Sequence, residues 1–89
     1  MIICAVRDVA ASVYGNPFCV SSQGAAVRSF INEINSRSPE SVMAAHYKDF
    51  DLYKIGEFDE ATGIVVSFAP ELLLRGTVAR REDTPNNAV

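Results

Sequence analysis

The stretch 50-FDLYKIGEFDEATGIVVSF-68 decides the fold, because it consists of two β-prone segments joined by a polar turn. Bulky and β-branched side chains, which fit a pleated and half-buried surface, fill both segments, LYKI and IVVSF. Between them, Asp59 can accept a backbone N–H two residues on, and Gly63 can adopt a positive φ without steric cost. We therefore predict an antiparallel β-hairpin whose turn ends in a glycine bulge.

The two strands of this hairpin differ in how regularly their side chains alternate. Alternate residues from Ile64 to Phe68 share one face, as the period of two requires. In the first strand Phe58 is out of phase with Tyr53, and a β-bulge at Gly56 would restore the phase. An isolated hairpin is marginally stable in water, so other elements must cover it.

The first residues of the chain supply another strand. Residues 1–7, MIICAVR, are apolar on both faces, which predicts a central position in the sheet. Residues 15–17, GNP, mark a turn, and residues 18–20, FCV, form a short extended segment. Cys4 and Cys19 lack metal or redox spacing, so we expect both to be reduced and buried.

The clearest helical pattern runs from about residue 22 to about residue 36, with Ser21 or Ser22 as its cap. Its apolar side chains recur at the spacing i, i+3, i+4, i+7, which predicts one buried helix face. These residues are Val27, Phe30, Ile31 and Ile34. We predict that this amphipathic helix covers one face of the sheet.

A second and shorter helix is predicted to begin at residues 38–40, SPE, because serine caps helices and proline suits the first helical position. We expect it to end by about Tyr47. Its inward-facing residues are predicted to be Val42, Met43 and His46.

The segment after the hairpin allows two interpretations. Pro70 near its start and Gly76 at its end favour one or two helical turns, whereas an extended conformation of residues 72–78 is the alternative. Residues 80–89 are polar and lack apolar periodicity, so we predict a flexible C-terminal tail after a single domain of residues 1–79.

These elements predict an α+β fold. We expect a three- to four-stranded, mainly antiparallel sheet with one main amphipathic helix packed on one face, in the order β-(β)-α-α-β-β.

The composition excludes several classes of protein. The 89 residues, of which 48% are hydrophobic and 21% charged, are typical of one small globular domain. Because the net charge is −3, any contact with DNA would need a local basic patch on an acidic body. No apolar run approaches the roughly 18 residues that span a bilayer, and the N-terminus does not resemble a signal peptide, so no membrane partner is expected.

No catalytic motif is present in the sequence. His46 is the only histidine and has no cysteine or histidine at ligand spacing, so we predict no metal site. Ser21 and Ser22 have no base partner nearby and are expected to cap the helix. The glycines are scattered and form no phosphate loop. We therefore predict a protein without catalytic residues, metal or cofactor.

Three segments in this order resemble the small nonstructural protein of gokushoviruses, which are single-stranded DNA phages of the microvirus group. They are IICAVRD (2–8) leading to YGNPF (14–18), SSQGAAVRSFINEIN (21–35) and YKIGEFDEATG (53–63). The resemblance covers about residues 2–68 and is most specific in the hairpin. It implies a protein that is not structural in the virion and is made in the cytoplasm of the infected bacterium. It also implies a role in viral DNA replication or packaging, with DNA binding as the proposed activity.

Sites for single-stranded DNA combine basic side chains with aromatic stacking platforms. Tyr14 and Tyr47 are candidate platforms if one sheet face is open, as is Tyr53; the alternative is that all three tyrosines pack at the edge of the core with their hydroxyls in water. The candidate nucleic-acid-binding residues are Arg28, Lys48, Tyr53, Lys54, Arg75, Arg80 and Arg81.

The sequence is compatible with two functions. The first is a non-enzymatic phage accessory protein that associates with single-stranded DNA during genome replication or packaging. The second is a homo-oligomeric module, most simply a homodimer, that engages a viral replication or capsid protein, or a host protein, without binding DNA. The acidic net charge and the apolar content motivate the second function.

Overall fold

The computed structural model describes residues 1–81 and shows an α+β fold in which a five-stranded antiparallel sheet carries its helices on one face. The predicted fold class is confirmed, but the sheet has five strands and not three or four, because two short segments, and not one, pair with the first strand. The strands are β1 (Ile2–Asp8), β2 (Val13–Tyr14), β3 (Phe18–Val20), β4 (Phe50–Phe58) and β5 (Val65–Arg75). The helices are α1 (Gln23–Ile34), α2 (Val42–Ala45) and α3 (Gly76–Ala79), with a 3₁₀ turn at Tyr47–Asp49 before β4.

The strand order is β2-β1-β4-β5, with β3 also paired to β1. β1 is therefore central, as predicted, because β4 lies on one side of it and the short strands β2 and β3 lie on the other. Between β2 and β3 the N–H of Gly15 donates to the carbonyl oxygen of Val6 at 2.8 Å. The two short strands thus act as one edge strand that is interrupted at residues 15–17.

The hairpin predicted from residues 50–68 is present as β4 and β5. Gly63 has a φ of 75°, and its N–H donates to the carbonyl oxygen of Asp59 at 2.7 Å. Ile55 has no partner on β1, and the pairing resumes at Gly56. Both the glycine turn and the bulge beside Gly56 are therefore confirmed.

The apolar stripe of α1 packs on the sheet. Phe30 and Ile34 are buried together with Cys4 of β1 and Leu52 of β4, while the rest of the stripe is half-buried against them. The Ser22 hydroxyl oxygen caps α1 by accepting the N–H of the third residue on, at 3.1 Å. Burying each large apolar side chain contributes about 1.5–3 kcal/mol before entropic costs, so this contact stabilises the packing of α1 on the sheet.

The segment after the hairpin is extended, so the helical interpretation is wrong and the alternative is correct up to Arg75. β5 continues to Arg75, where Leu74 lies opposite Leu52 of β4. Pairing with β4 gives the backbone N–H and C=O groups of this segment the hydrogen bonds that they would otherwise make within a helix. Pro70, which has no N–H to donate, is tolerated because β5 is an edge strand. Gly76, predicted to end a helix, begins α3 instead.

The short helix α2 begins later than predicted. Ser41 caps it by accepting the N–H of Ala44 at 3.2 Å, whereas the Ser38 hydroxyl oxygen accepts the N–H of Glu40 in a tight turn at 3.3 Å. The inward orientation predicted for Val42 and His46 is wrong, since both are exposed, and only Met43 packs against the core.

The two cysteines differ in their surroundings. Cys4 is fully buried, and burial raises the pKa of its thiol above the ordinary value. The prediction of burial is wrong for Cys19, which is exposed on the edge strand β3. Cys19 lies opposite Ile3, on the sheet face that α1 does not cover, and this accounts for its exposure.

Most of the predicted tail, residues 82–89, lies outside the described residues. Its first two residues, Arg80 and Arg81, contact the ends of the helices. Within residues 1–81 no helix has the length and apolar character needed to cross a membrane.

Candidate nucleic-acid interface

The strand register assigns the side chains of the sheet to two faces, because residues opposite one another in neighbouring strands point to the same side. On one face, Cys4 and Leu52 form the core with Phe30 of α1 and Ala79 of α3. The helices of the described chain contact one another on this side. We call the opposite side of the sheet the open face.

A row of polar and aromatic residues crosses the open face from edge to edge. Arg7 of β1 lies opposite Tyr14 of β2 and Asp51 of β4, and Asp51 lies opposite Arg75 of β5. Tyr53, two residues along β4 from Asp51, points to the same side. These five residues, Arg7, Tyr14, Asp51, Tyr53 and Arg75, are called the open-face cluster.

The two tyrosine rings of the cluster contact each other. Their centroids are 5.5 Å apart and their planes make an angle of 72°, which is an edge-to-face arrangement. The guanidinium carbon of Arg7 lies 5.8 Å from the centroid of Tyr14, within the range of a cation–π interaction. Tyr14 is 43% exposed, while Tyr53 is half-buried. The cluster therefore presents preformed aromatic surface with a cation beside it.

The charges of the cluster do not cancel. Asp51 is only 4% exposed and is held by Arg75, whose Nη1 lies 3.0 Å from its Oδ2, and by the N–H of Gly76 at 3.3 Å. Arg7 has no ion-pair partner within residues 1–81, and its buried Nε lacks a hydrogen-bond partner there. Two guanidiniums against one carboxylate leave a local positive charge on an acidic chain.

Only two of the sequence-predicted binding residues, Tyr53 and Arg75, belong to this cluster. Lys54 follows Tyr53 in β4 and points to the opposite face, where its Nζ lies 3.4 Å from Glu57 Oε1. Arg28 is exposed on α1, beyond the buried stripe of that helix.

The other predicted residues lie near the C-terminal ends of the helices. Arg80 donates from Nη1 to the carbonyl oxygens of Ile34 and Ala44, and its guanidinium carbon lies 4.8 Å from the centroid of the Tyr47 ring. Lys48 is exposed in the 3₁₀ turn, and Arg81 is exposed beyond α3. Binding of nucleic acid by any of the named residues stays a prediction.

Sequence reasoning missed Arg7 and treated Tyr14 only as a possible platform. A signal for Arg7 was present, because the alternation Ile3, Ala5, Arg7 marks a strand face that becomes polar at one end. Nothing local reveals the position of Tyr14, because it depends on the pairing of β2 with β1.

No metal centre can be assigned from the geometry of residues 1–81, where no group of three or more His, Cys, Asp or Glu side chains gathers. His46 is exposed at the end of α2. The predictions about metal, cofactor and enzymatic activity stay predictions.

The family described as Phage ORF5 protein matches residues 1–79, which include every strand and helix named above and the whole open-face cluster. Neither the curated proteins nor the solved structures contain a match. Because the match covers most of the chain, the chain belongs to the Phage ORF5 protein family.

Proposed function

We propose that this protein is a non-enzymatic accessory protein of a gokushovirus that associates with single-stranded DNA during viral genome replication or packaging. Its membership in a phage protein family supports the viral origin. The resemblance of residues 2–68 to the small nonstructural protein of gokushoviruses supports the narrower assignment. The proposed site of action is the cytoplasm of the infected bacterium.

One observation carries this proposal: two tyrosine rings and two arginines share the open face. Sites for single-stranded DNA use aromatic rings to stack bases and basic side chains to contact phosphates. Tyr14 and Tyr53 supply the rings, and Arg7 and Arg75 supply the cations. The cluster is the local basic patch that an acidic chain needs in order to approach DNA.

The geometry favours single-stranded over double-stranded DNA. In a duplex, neighbouring bases already cover both faces of each base, so a ring on a sheet surface has no base to stack on. An unpaired strand can turn its bases toward Tyr14 while its phosphates lie near Arg7. Because every base has a π-face, the binding is expected to depend weakly on sequence.

Fluorescence anisotropy with a labelled oligothymidine tests the proposal. We expect binding at low salt, with an affinity that falls by about sevenfold between 50 and 200 mM salt if two phosphates are neutralised. A duplex of the same length serves as the control and is expected to bind more weakly. If the oligothymidine does not bind at tens of micromolar protein and low salt, the proposal is wrong.

A second candidate function, a homo-oligomeric interaction module, is favoured by the outer strand β5. Among the strands of residues 1–81 it pairs with β4 alone, and exposed apolar side chains run along it, including Val66 at 54% exposure and Phe68. An exposed edge strand can pair with another chain, and antiparallel pairing of two identical strands about a two-fold axis closes into a dimer. A second copy is the proposed occupant, and a viral replication or capsid protein is the alternative.

Sedimentation velocity tests this second candidate. We expect a dimer at high protein concentration, and we expect Val66→Lys to shift the equilibrium to monomer because it places a charge on the paired edge. The control is Val42→Lys, at a site on α2 that is 63% exposed and far from β5 in the sequence. A wild-type protein that remains monomeric at every concentration would rule out self-association.

A further inference from the structure

A second concentration of positive charge lies beyond the open face, at the C-terminal end of α1. There a polar cavity of about 500 Å³ is lined by three arginines and two small polar residues, and none of the lining residues within the described part of the chain carries a carboxylate. We call it the arginine pocket, and its lining residues are Asn35, Ser36, Arg37, Arg80 and Arg81.

Main-chain contacts hold one wall of the arginine pocket in place. Arg80 donates from Nη1 to carbonyl oxygens in the last turns of α1 and α2, at Ile34 (3.2 Å) and Ala44 (3.1 Å). Asn35 donates from Nδ2 to the carbonyl oxygen of Ala79 at 2.9 Å and accepts the N–H of Arg81 at 2.7 Å. These bonds fix where the chain leaves α3, and with it the position from which the Arg81 side chain extends.

The remaining polar groups of the pocket are available to a ligand. Arg37 and Arg81 are exposed, and neither forms an ion pair within the described residues 1–81. The Ser36 hydroxyl oxygen accepts the N–H of Ser38 at 3.2 Å, which leaves its hydrogen free to donate. Three arginines line one cavity, so an anion that enters it would be attracted to their positive charge.

We infer that the arginine pocket binds phosphate groups. The planar guanidinium presents N–H donors in a fork that matches two oxygens of a phosphate, and such charge-assisted hydrogen bonds are the strong ones. The cavity volume lies in the range of small-ligand sites, which suits a diphosphate or a short piece of phosphodiester backbone better than one small anion.

Two sources of phosphate fit this chemistry. One is a free polyphosphate or nucleotide. The other is the backbone of a single strand bound to the open face, because along the chain only the four residues of α3 lie between Arg75 of the open-face cluster and Arg80 of the pocket. The inference stands on the pocket itself and does not require the proposed DNA binding.

Titration of the full-length protein with pyrophosphate, followed by NMR of the arginine Nε–H signals, tests the inference. We expect the signals of Arg37 and Arg81 to shift. The double variant Arg37→Gln/Arg81→Gln is expected to bind pyrophosphate at least about tenfold more weakly than the wild type, because each substitution removes charge-assisted hydrogen bonds to the phosphate. Arg80 is left intact because it supports the helix ends. The control Arg28→Gln, on exposed α1 surface, is expected to bind as the wild type does.

Unshifted arginine signals at millimolar pyrophosphate, or equal affinities of the double variant and the wild type, would overturn the inference. Oligothymidine added in competition identifies the source of phosphate. Displacement of pyrophosphate assigns the pocket to the DNA backbone, and simultaneous binding assigns it to a free phosphate compound. The variant Tyr14→Ala/Tyr53→Ala is expected to retain pyrophosphate binding, so failure of the open-face proposal is distinguishable from failure of this one.

Discussion

Replacement of Gly76 by alanine is expected to destabilise the protein by about 3 kcal/mol, at the upper end of the usual cost of overpacking. A Cβ atom at this position would collide with the carbonyl oxygen of Tyr47 and lie 2.5 Å from that of Phe50. Both are main-chain atoms at the entrance to β4, so neither can move without disturbing the strand. The glycine is required here by close approach of the backbone.

The consequences of this collision extend through α3. Gly76 begins this helix, its N–H donates to buried Asp51, and the helix carries Ala79 into the core. Displacing α3 would also withdraw Arg80 from the carbonyl groups at the ends of α1 and α2. Several contacts are thus lost together, which is why a single methyl group has a large expected effect.

Urea unfolding monitored by circular dichroism measures the effect on the free energy of unfolding. The matched control is Gly24→Ala in α1, where the nearest atom to the new Cβ is the Ser22 Oγ at 4.0 Å. That control is expected to stabilise the protein by about 0.5–1 kcal/mol, because alanine loses less backbone entropy in a helix than glycine. If Gly76→Ala unfolds like the wild type, the described packing of α3 against the 3₁₀ turn is wrong.

Replacement of both Tyr14 and Tyr53 by alanine is expected to weaken binding of single-stranded DNA by about 30-fold or more. Stacking of a base on an aromatic side chain contributes about 1–3 kcal/mol, and two rings are lost. Neither ring belongs to the buried core, so the loss of DNA affinity is expected to exceed any change in folding.

The matched control for the double alanine variant keeps both rings and removes only the hydroxyl groups. Tyr14→Phe/Tyr53→Phe is expected to bind oligothymidine about as tightly as the wild type, since stacking depends on the π-face. Anisotropy titrations give the affinities, and thermal unfolding verifies that both variants are folded. Undiminished binding by the alanine variant would remove the open-face cluster from the proposal, and an equal loss in the phenylalanine variant would show that the hydroxyl groups matter instead.

The parts of the fold that the sequence predicts correctly are those decided by neighbouring residues. Asp59 and Gly63 specify the turn through local hydrogen bonding and a positive φ. The apolar stripe that includes Phe30 and Ile34 specifies α1, because residues at the spacing i, i+3, i+4, i+7 share one face only in a helix. The central position of β1 follows from apolar side chains on both of its faces.

Other elements depend on partners that are distant in the sequence. The run Leu72–Leu74 suits a helix or a strand equally well, and pairing with β4 decides for the strand. Ser38 and Ser41 are both capable helix caps, and the Ser41 hydroxyl additionally donates to Glu33 of α1 at 2.8 Å. Such contacts exist only once the elements have come together.

For the candidate site, the sequence by itself determined which residue types were available, and the tertiary structure decided which of them meet. Tyr53 and Lys54 are adjacent in β4 yet lie on opposite faces, because strand side chains alternate and register assigns the face. Tyr14 meets Arg7 only through the pairing of β2 with β1. Residue type and local period are properties of short segments, whereas a shared surface depends on register between strands that are far apart in the chain.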